Sequence, residues 1–338
     1  MIKLEGNKKK IFYLLLIVLP IFLAVYCIGQ GRYPMTLHDV VVTLFSPFTE
    51  AQTDEKIFRT IFNMRLPRII LAMGAGAGLA CAGASFQSLF ANPLATPDTL
   101  GVTAGASVGA IIALLSGQNL IGVQFIALVF GVSTVLLTTF VSKVRGKSSI
   151  TMLVLAGVIV SSLMSSVISI LKYTADPYDD LPTITYWLMG SLAGASYSSL
   201  LLGLPLIVIS VLIIFILRWR LNILSLSEDE AKSSGLNVKR IRMILIAAST
   251  MITASCVSMC GQVSWVGLLV PHMARMFCGN DNRMVIPTSI SFGMMFMLII
   301  DTVSRTLWAS EIPISVLTSI IGAPFFIALL RKTGKEMA

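Results

Sequence analysis

Two charged residues lie where they could pair within an apolar helix. Asp301 and Arg305 are four residues apart in the apolar stretch 284–307, so on a helix they share a face and can form an ion pair. Ionisable groups inside a membrane segment commonly belong to a functional site. The pair lies near one end of its stretch, so spacing alone leaves a local ion pair at the membrane edge as an equal alternative.

Other residues that do chemistry are scarce or wrongly spaced. The five cysteines lie in or beside apolar runs, and only two histidines accompany them. We interpret the cysteines as small apolar side chains and predict neither a metal site nor a catalytic residue. Gly146-Lys147-Ser148 resembles the end of a nucleotide-binding P-loop, but Val141 stands where its first glycine is required. The chain is therefore not expected to be an enzyme, and any ATPase must be a separate subunit.

The composition indicates that membrane helices must position these residues. Of 338 residues, 56% are hydrophobic and 12% are charged, whereas soluble domains have about 45–50% and about 25%. This excludes a disordered chain, a secreted disulfide scaffold and an ordinary soluble enzyme. The net charge of +9 is attributed to the cytoplasmic bias of Lys and Arg in membrane proteins, so no nucleic-acid partner is expected.

Ten apolar stretches predict an all-α, polytopic membrane protein with ten transmembrane helices, forming one domain over residues 1–338. The stretches lie at 11–28, 66–86, 99–116, 120–142, 149–171, 199–218, 242–260, 264–277, 284–307 and 312–330. The eighth is short and contains Pro271, so whether it crosses fully is left open. A further stretch, 186–192, is too short to cross and predicts an interfacial or re-entrant helix.

The basic residues predict the orientation. With both termini in the cytoplasm of a bacterial cell, 18 of the 25 basic residues fall on the cytoplasmic side of the inner membrane. The other seven are predicted to be outside: Arg32, Lys56, Arg59, Arg65, Arg68, Lys172 and Arg305. A nine-helix topology would place the basic C-terminus outside, so an even count is favoured.

Two loops predicted at the cytoplasmic side have distinct patterns. In the loop 219–241, Ser227 and Glu230 form a capping-box pattern and Gly235 is suited to end a helix, which predicts a short helix that needs a partner surface. A solvated connector is the alternative. In the loop after the second stretch, Pro93 and Pro97 break any helix, and an irregular, mostly uncharged segment at this depth is a gate candidate.

Several ordered motifs resemble one family, the FecCD-type permeases of ABC importers for iron-siderophores, haem and cobalamin. The resemblance runs from about residue 65 to about residue 331. It is carried by Arg65-Leu66-Pro67-Arg68, Asn92-Pro93-Leu94-Ala95-Thr96-Pro97, Leu100-Gly101, Gly105-Ala106, the run 261–275, Asp301 with Arg305, Glu311-Ile312-Pro313-Ile314 and Gly322-Ala323-Pro324-Phe325-Phe326. Gln262 and Ile314 depart mildly from the family pattern.

The resemblance implies a subunit that dimerises around a central pathway, more plausibly with an identical chain. Two ATP-binding subunits would bind ATP and Mg²⁺ below it, and an extracytoplasmic substrate-binding protein would dock above. The resemblance implies that Arg65, Arg68 and Arg305 contact the docked binding protein, with Asp301 orienting Arg305. Contact with the ATPase falls to Ser227, Glu228, Glu230, Ala231, Gly235 and Leu236. A cytoplasmic gate falls to Asn92 and Leu94, with Ser148 and Ser149 as a weaker second constriction.

The predicted function is therefore passage of an iron-siderophore, haem or cobalamin from the binding protein to the cytoplasm. The alternative is a secondary transporter or exporter that works without ATPase subunits. The scarcity of ionisable groups in the spans disfavours ion-coupled transport, because such transporters usually bind ions near the middle of the membrane. A receptor or purely structural subunit would leave the gate-like loop unexplained. The sequence does not select among the solutes.

Overall fold

A computed structural model describes residues 7–49, 53–143, 149–226, 230, 233 and 235–337, with the backbone alone at residues 8 and 329–337. All regular secondary structure in this part of the chain is helical. The α-helices are, in order, α1 (Asn7–Gly29), α2 (Leu37–Phe45), α3 (Glu55–Arg59), α4 (Leu66–Leu89), α5 (Val102–Leu115), α6 (Leu120–Val141), α7 (Ile150–Thr174), α8 (Asp180–Met189), α9 (Tyr197–Leu224), α10 (Val238–Cys260), α11 (Val266–Cys278), α12 (Asn282–Thr306) and α13 (Ile314–Met337).

Each of the ten predicted stretches coincides with a helix, so the chain is a polytopic all-α membrane protein. Among the described residues, seven helices are long and apolar enough to cross a membrane. They are α1, α4 with its N-terminal extension, α6, α7, α9, α10 and α12. Helices α5 and α11 have 14 and 13 residues, which is short of the ~20 that a full crossing needs. The count of ten crossings stays a prediction.

Two short helices differ from expectation. The predicted interfacial helix at 186–192 is α8, which begins at Asp180 because Asp176 accepts hydrogen bonds from the backbone N–H groups of Tyr178 and Asp179 and so starts the turn. Helix α2 was not predicted. It begins with a capping box in which Thr36 and Asp39 bond each other's backbone N–H. The hydrogen bonds from Thr36 lower the pKa of Asp39.

The longest helical run lies at the centre of the fold. Helix α3, a π-helical segment at Thr60–Arg65 and α4 form one continuous run of 35 residues, which begins eleven residues before the predicted start at 66. A π-helical turn accommodates an additional residue per turn and such turns are frequent at functional sites. Arg65 is the last residue of this segment and is buried. No residue pattern in the sequence signals this change of helix type.

Small residues allow other helices to approach α4 closely. A Cβ added to Gly76 would lie 2.1 Å from the carbonyl oxygen of Gly293 in α12, and a Cβ added to Gly83 would lie 1.8 Å from the carbonyl oxygen of Gly267 in α11. In lipid, where no hydrophobic force drives helices together, close backbone packing of this kind supplies the association energy. The Gly- and Ala-rich sequence of α4 therefore makes it the helix around which α11 and α12 assemble.

Other helices keep most of their surface exposed. Within the most apolar windows of α7 and α9, only 22% and 28% of residues are buried. Helix α7 is unusual because exposed serines accompany its apolar residues. The hydroxyl groups of Ser162, Ser166 and Ser169 each donate to the carbonyl oxygen one turn before. A face of this mixed character suits an aqueous pathway or a second subunit better than lipid.

We expect the close approach at Gly76 to tolerate no side chain. Gly76→Ala should lower the midpoint of thermal unfolding in detergent, since overpacking a tight contact costs about 1–3 kcal/mol. Gly194→Ala is the matched control, because the nearest atom to its added Cβ is 4.0 Å away. Equal unfolding midpoints for the two variants would contradict the packing described here.

Candidate functional site

Arg68 is the centre of a buried ionic cluster at one end of the molecule. Its Nε lies 2.7 Å from Oδ1 of Asp301, and its two terminal nitrogens lie 2.7 and 2.9 Å from the two carboxylate oxygens of Glu311. The predicted pair in α12 is present, with Nε of Arg305 3.3 Å from Oδ2 of Asp301. Arg68 thus joins α4, α12 and the segment before α13, which spacing within one helix could not show.

Arg65 and Arg305 cap the C-terminus of α1. Arg65 donates to the carbonyl oxygens of Ile28 and Tyr33 at 2.5 and 2.6 Å, and Arg305 donates to those of Cys27 and Gln30. The last carbonyl groups of a helix have no partners within the helix and carry partial negative charge, so cations stabilise them. Glycine is needed at Gly31 because an added Cβ would lie 2.7 Å from a nitrogen of Arg65.

The three arginines proposed for docking are therefore already engaged inside the protein. Arg65 and Arg305 are each 8% exposed, and the Arg68 side chain is 12% exposed. Asp301 has no exposed surface. Arg68 and Arg305 pair with the carboxylates of Asp301 and Glu311, whereas Arg65 donates to backbone carbonyl oxygens, so these three guanidinium groups and two carboxylates carry an excess of one positive charge. Direct contact of Arg65, Arg68 and Arg305 with a binding protein stays a prediction.

A cavity of about 790 Å³ opens above this cluster. Six of the seven cations predicted to be outside line it, namely Arg32, Lys56, Arg59, Arg65, Arg68 and Arg305, and Glu311 is the acidic residue of the lining. Lys56 and Arg59 are exposed at its rim. The seventh cation predicted to be outside, Lys172, belongs to α7 and does not line the cavity. We call this space the outer cavity. Its lining attracts anions.

A second cavity, of about 460 Å³, has a lining mostly of neutral polar and apolar residues instead of cations, and we call it the inner cavity. Residues of the predicted gate loop, among them Leu94, Thr96 and Asp98, face polar residues of α7 and of the segment before α11. The polar lining consists of hydroxyl and amide groups with one carboxylate: Thr96, Asp98, Thr103, Ser161, Ser165, Thr253, Gln262 and Ser264. Among the described residues, no Lys or Arg lines it.

The gate loop is irregular, as predicted. Asn92 accepts a hydrogen bond from the backbone N–H of Leu94 at 2.9 Å, which closes an Asx turn, and Leu94 is 57% exposed into the inner cavity. Ser149 caps the N-terminus of α7 by accepting from the backbone N–H of Met152. Ser149 is not among the residues that line the inner cavity. The gating roles of Asn92, Leu94 and Ser149 stay predictions, and Ser148 lies outside the described residues.

The predicted coupling helix is described only in part. Ser227, Glu228 and Ala231 lie outside the described residues. Gly235 has φ of +75°, the left-handed conformation expected at a helix end. Leu236 packs against the main apolar core and so anchors the loop to the membrane helices. Glu230 is exposed. Contact of these residues with an ATPase stays a prediction.

Comparison with known proteins identifies the family. The model of the FecCD transport family matches residues 16–332. The chain belongs to the FecCD transport family. It is 38% identical over 317 residues to the molybdate import permease MolB of Haemophilus influenzae, covering 94% of each chain. It is 36% identical to the cobalamin import permease BtuC of Halobacterium salinarum, covering 84% of this chain and 76% of that one.

A solved structure agrees with this assignment. An ABC transporter described as of the metal-chelate type, in an inward-facing conformation, is 37% identical and superposes with a TM-score of 0.86 over 95% of this chain and 99% of that one. The chain is thus an ABC-importer permease and a multi-pass membrane protein, and ATP hydrolysis in such transporters belongs to a separate subunit.

The structure also reveals a polar joint in this FecCD permease that the sequence did not reveal. The amide oxygen of Asn282, at the start of α12, accepts from the hydroxyl of Ser88 at 2.8 Å. The side-chain oxygen of Asn222, near the end of α9, accepts from the backbone N–H of Asn282 at 2.8 Å. The gate loop follows α4 and the coupling loop follows α9, so this joint lies between them. Three unrelated stretches supply its residues, and no motif marks them.

We expect the buried carboxylate of Asp301 to dominate the stability of the outer cluster. Asp301→Asn should destabilise the permease by roughly 3–5 kcal/mol, because it leaves the Arg68 and Arg305 charges buried with a weaker partner. Glu55→Gln is the control, since it breaks the exposed Glu55–Arg59 pair and should cost at most about 1 kcal/mol. Chemical unfolding in detergent measures both. Similar losses in the two variants would contradict the central role of Asp301.

Proposed function

We propose that this FecCD permease forms the pathway of an importer that moves a metal chelate, of the iron-siderophore, haem or cobalamin class, into a bacterial cell. Two partner subunits bind ATP and Mg²⁺, and an extracytoplasmic protein delivers the solute. The permease lies in the cytoplasmic membrane with both termini in the cytoplasm. The distribution of its basic residues supports this orientation.

We choose between the candidate solutes by the residues that line the inner cavity. Hydroxyl and amide groups, apolar residues such as Trp265 and Leu268, and the carboxylate of Asp98 surround it. Such a surface makes weak, exchangeable contacts with a bulky chelate and lets it pass. Among the described residues, no Lys or Arg lines this cavity to bind a small oxyanion, and a negatively charged Asp98 would repel one.

Molybdate import is the second candidate. The permease is 38% identical to the MolB permease of Haemophilus influenzae, and the six cations of the outer cavity would attract an oxyanion. This anion would then have to pass Asp98 in the inner cavity, so we favour the chelate.

The outer cavity supports docking of an acidic surface of the binding protein. Opposite charges across an interface raise the association rate and set its register. Lys56 and Arg59 are exposed at the rim and meet the partner first. Arg65, Arg68 and Arg305 lie behind them and supply the positive field of the cavity floor.

The dimer and the ATPase contact are proposed on separate surfaces. The exposed serine-bearing face of α7 is proposed to line a pathway shared with a second, identical subunit, because it places hydroxyl groups beside apolar side chains along one face. The loop 219–241, with Gly235 and Leu236 at its end, is proposed to fit the ATPase, which binds below the joint at Asn222 and Asn282.

The function is tested by reconstituting the permease in vesicles with an ATPase and a binding protein from the same organism. We expect uptake of a ⁵⁵Fe-siderophore, haem or cobalamin that requires ATP and continues when the proton gradient is collapsed. Uptake of ⁹⁹Mo-molybdate, with none of the chelates taken up, would show that the transported solute is the oxyanion and not a chelate. Uptake that ignores ATP and stops with the proton gradient would establish the secondary transporter instead.

Docking is tested at the rim of the outer cavity. The double variant Lys56→Glu with Arg59→Glu should slow association of the binding protein by about tenfold or more at low salt, and by less at high salt, because screening shortens the reach of exposed charges. Lys172→Glu is the control, a single cation of the same predicted side that does not line the cavity. Surface plasmon resonance on permease in nanodiscs measures the rates. Equal association rates for the wild type and the double variant would show that the binding protein does not dock on this surface.

A further inference from the structure

Arg68 already has an internal carboxylate partner on the side that lines the outer cavity. The resemblance assigns its guanidinium group to a carboxylate of the binding protein, but Glu311 of the same chain already occupies both terminal nitrogens. The two parallel hydrogen bonds are the geometry by which arginine binds a carboxylate most strongly. Glu311 therefore fills the position that an incoming acidic side chain would need.

The two carboxylates of the cluster differ in access. The Asp301 side chain has no exposed surface, whereas that of Glu311 is 33% exposed and lines the outer cavity. An acidic group entering the cavity can therefore reach the Glu311 side of Arg68 while the Asp301 side stays shielded. Asp301 keeps the buried guanidinium group paired throughout, which avoids the large cost of an unpaired buried charge.

Glu311 belongs to a short segment whose contacts would change if another carboxylate replaced Glu311 on Arg68. Residues 307–313 connect α12 to α13 without regular structure. Their first part, 307–311, is held at Glu311 by Arg68 and at Ala309 by Arg32, which donates to the carbonyl oxygen of Ala309. Both holding cations line the outer cavity. Beyond them, Ile312 is fixed by two hydrogen bonds with Ser304, at 2.6 and 3.1 Å, and so marks the end of the part that can be released.

The same region leads to the inner cavity. One residue after α13 begins, Ser315 donates to the carbonyl oxygen of Gln262 at 2.7 Å, and Gln262 lines the inner cavity. Residues 307–311 are therefore close in the chain to the start of α13, which contacts the wall of the inner cavity through Ser315. The two cavities are linked by a short run of chain and named hydrogen bonds.

We propose that Glu311 is an internal substitute for the binding protein's carboxylate, and that docking of an acidic loop in the outer cavity exchanges it on Arg68 and releases residues 307–311. The inference rests on the proposed docking function and adds a residue and a motion to it. The charges favour the exchange, since among the described residues six cations and one acidic residue line the cavity. In the undocked permease, Glu311 keeps Arg68 paired.

The test uses full-length permease in nanodiscs with a nitroxide label on Ser310→Cys, an exposed position in the segment. Hexaglutamate is the acidic probe and hexalysine the control peptide. Four of the natural cysteines are buried and Cys278 lies in α11, so a sample without Ser310→Cys gives the background signal. We expect hexaglutamate, and not hexalysine, to increase label mobility at low salt.

Variants separate exchange from general electrostatics. In Glu311→Gln the label should be mobile without any peptide, and hexaglutamate should bind about fivefold more tightly, because it no longer displaces a competing charge. Asp179→Asn removes the same charge from the same predicted side, and among the described residues Asp179 makes no ion pair, so the label in this variant should behave as in wild type. Glu311→Asp keeps the charge and serves as a control for loss of folding. Its label mobility and its affinity for hexaglutamate should lie between those of wild type and Glu311→Gln.

Two results would overturn the inference. Label mobility in Glu311→Gln equal to that of wild type would show that Glu311 does not hold the segment, and an affinity gain no larger than in Asp179→Asn would show that it does not compete. If the binding protein docks normally while the label stays unchanged, the exchange is wrong and the docking surface stands. If the binding protein does not dock to wild type, the proposed function fails together with the exchange.

Discussion

A carboxylate wholly removed from solvent, Asp301, balances two guanidinium groups and so joins three parts of the chain. Arg68 brings α4 to it, Arg305 lies one turn away on α12, and Arg68 reaches onward to Glu311 before α13. Burying a charge without a partner costs several kcal/mol, so each member of this cluster constrains the others. Through Arg65 and Arg305 the constraint extends to the C-terminus of α1.

The rest of the architecture follows from where these charged groups can lie. The cluster is possible at this end because the π-helical segment before α4 turns Arg65 inward and because the glycines of α4 let α12 approach within backbone contact. With the cations gathered at one end, the middle of the protein is left to hydroxyl, amide and apolar groups. The outer cavity is consequently lined by cations, whereas among the described residues no Lys or Arg lines the inner cavity.

The opposite end of the molecule is organised by hydrogen bonds between single polar side chains. Ser88, Asn282 and Asn222 connect the ends of α4, α9 and α12, from which the gate loop and the coupling loop depart. Two charged side chains bond to the same residues: Asn222 donates to the carboxylate of Asp281 at 2.7 Å, and Arg275 donates to the hydroxyl of Ser88 at 3.4 Å. The ionic cluster joins its helices by ion pairs, whereas this joint uses amide and hydroxyl groups that are hydrogen-bonded to each other and to these two charges.

The sequence by itself determined the class of the protein and the general location of its loops. Apolar stretches separated by basic loops identify membrane helices because lipid admits few charges, and Pro93 and Pro97 exclude a helix at the gate loop for local steric reasons. The i, i+4 spacing of Asp301 and Arg305 predicted their ion pair for the same local reason. The family motifs, confirmed by the match over residues 16–332, added the class of transporter.

Tertiary structure alone decided which partners these residues have. That Arg68 lies between Asp301 and Glu311, 233 and 243 residues away along the chain, depends on how α4 packs against α12. That Arg65 caps α1 depends on a π-helical segment for which the sequence carries no signal. Local rules of spacing and capping act over one or two turns, whereas burial and pairing are set by helices that meet from distant parts of the chain. The arginines could be predicted as important from sequence, but their internal engagement could be seen only in the folded protein.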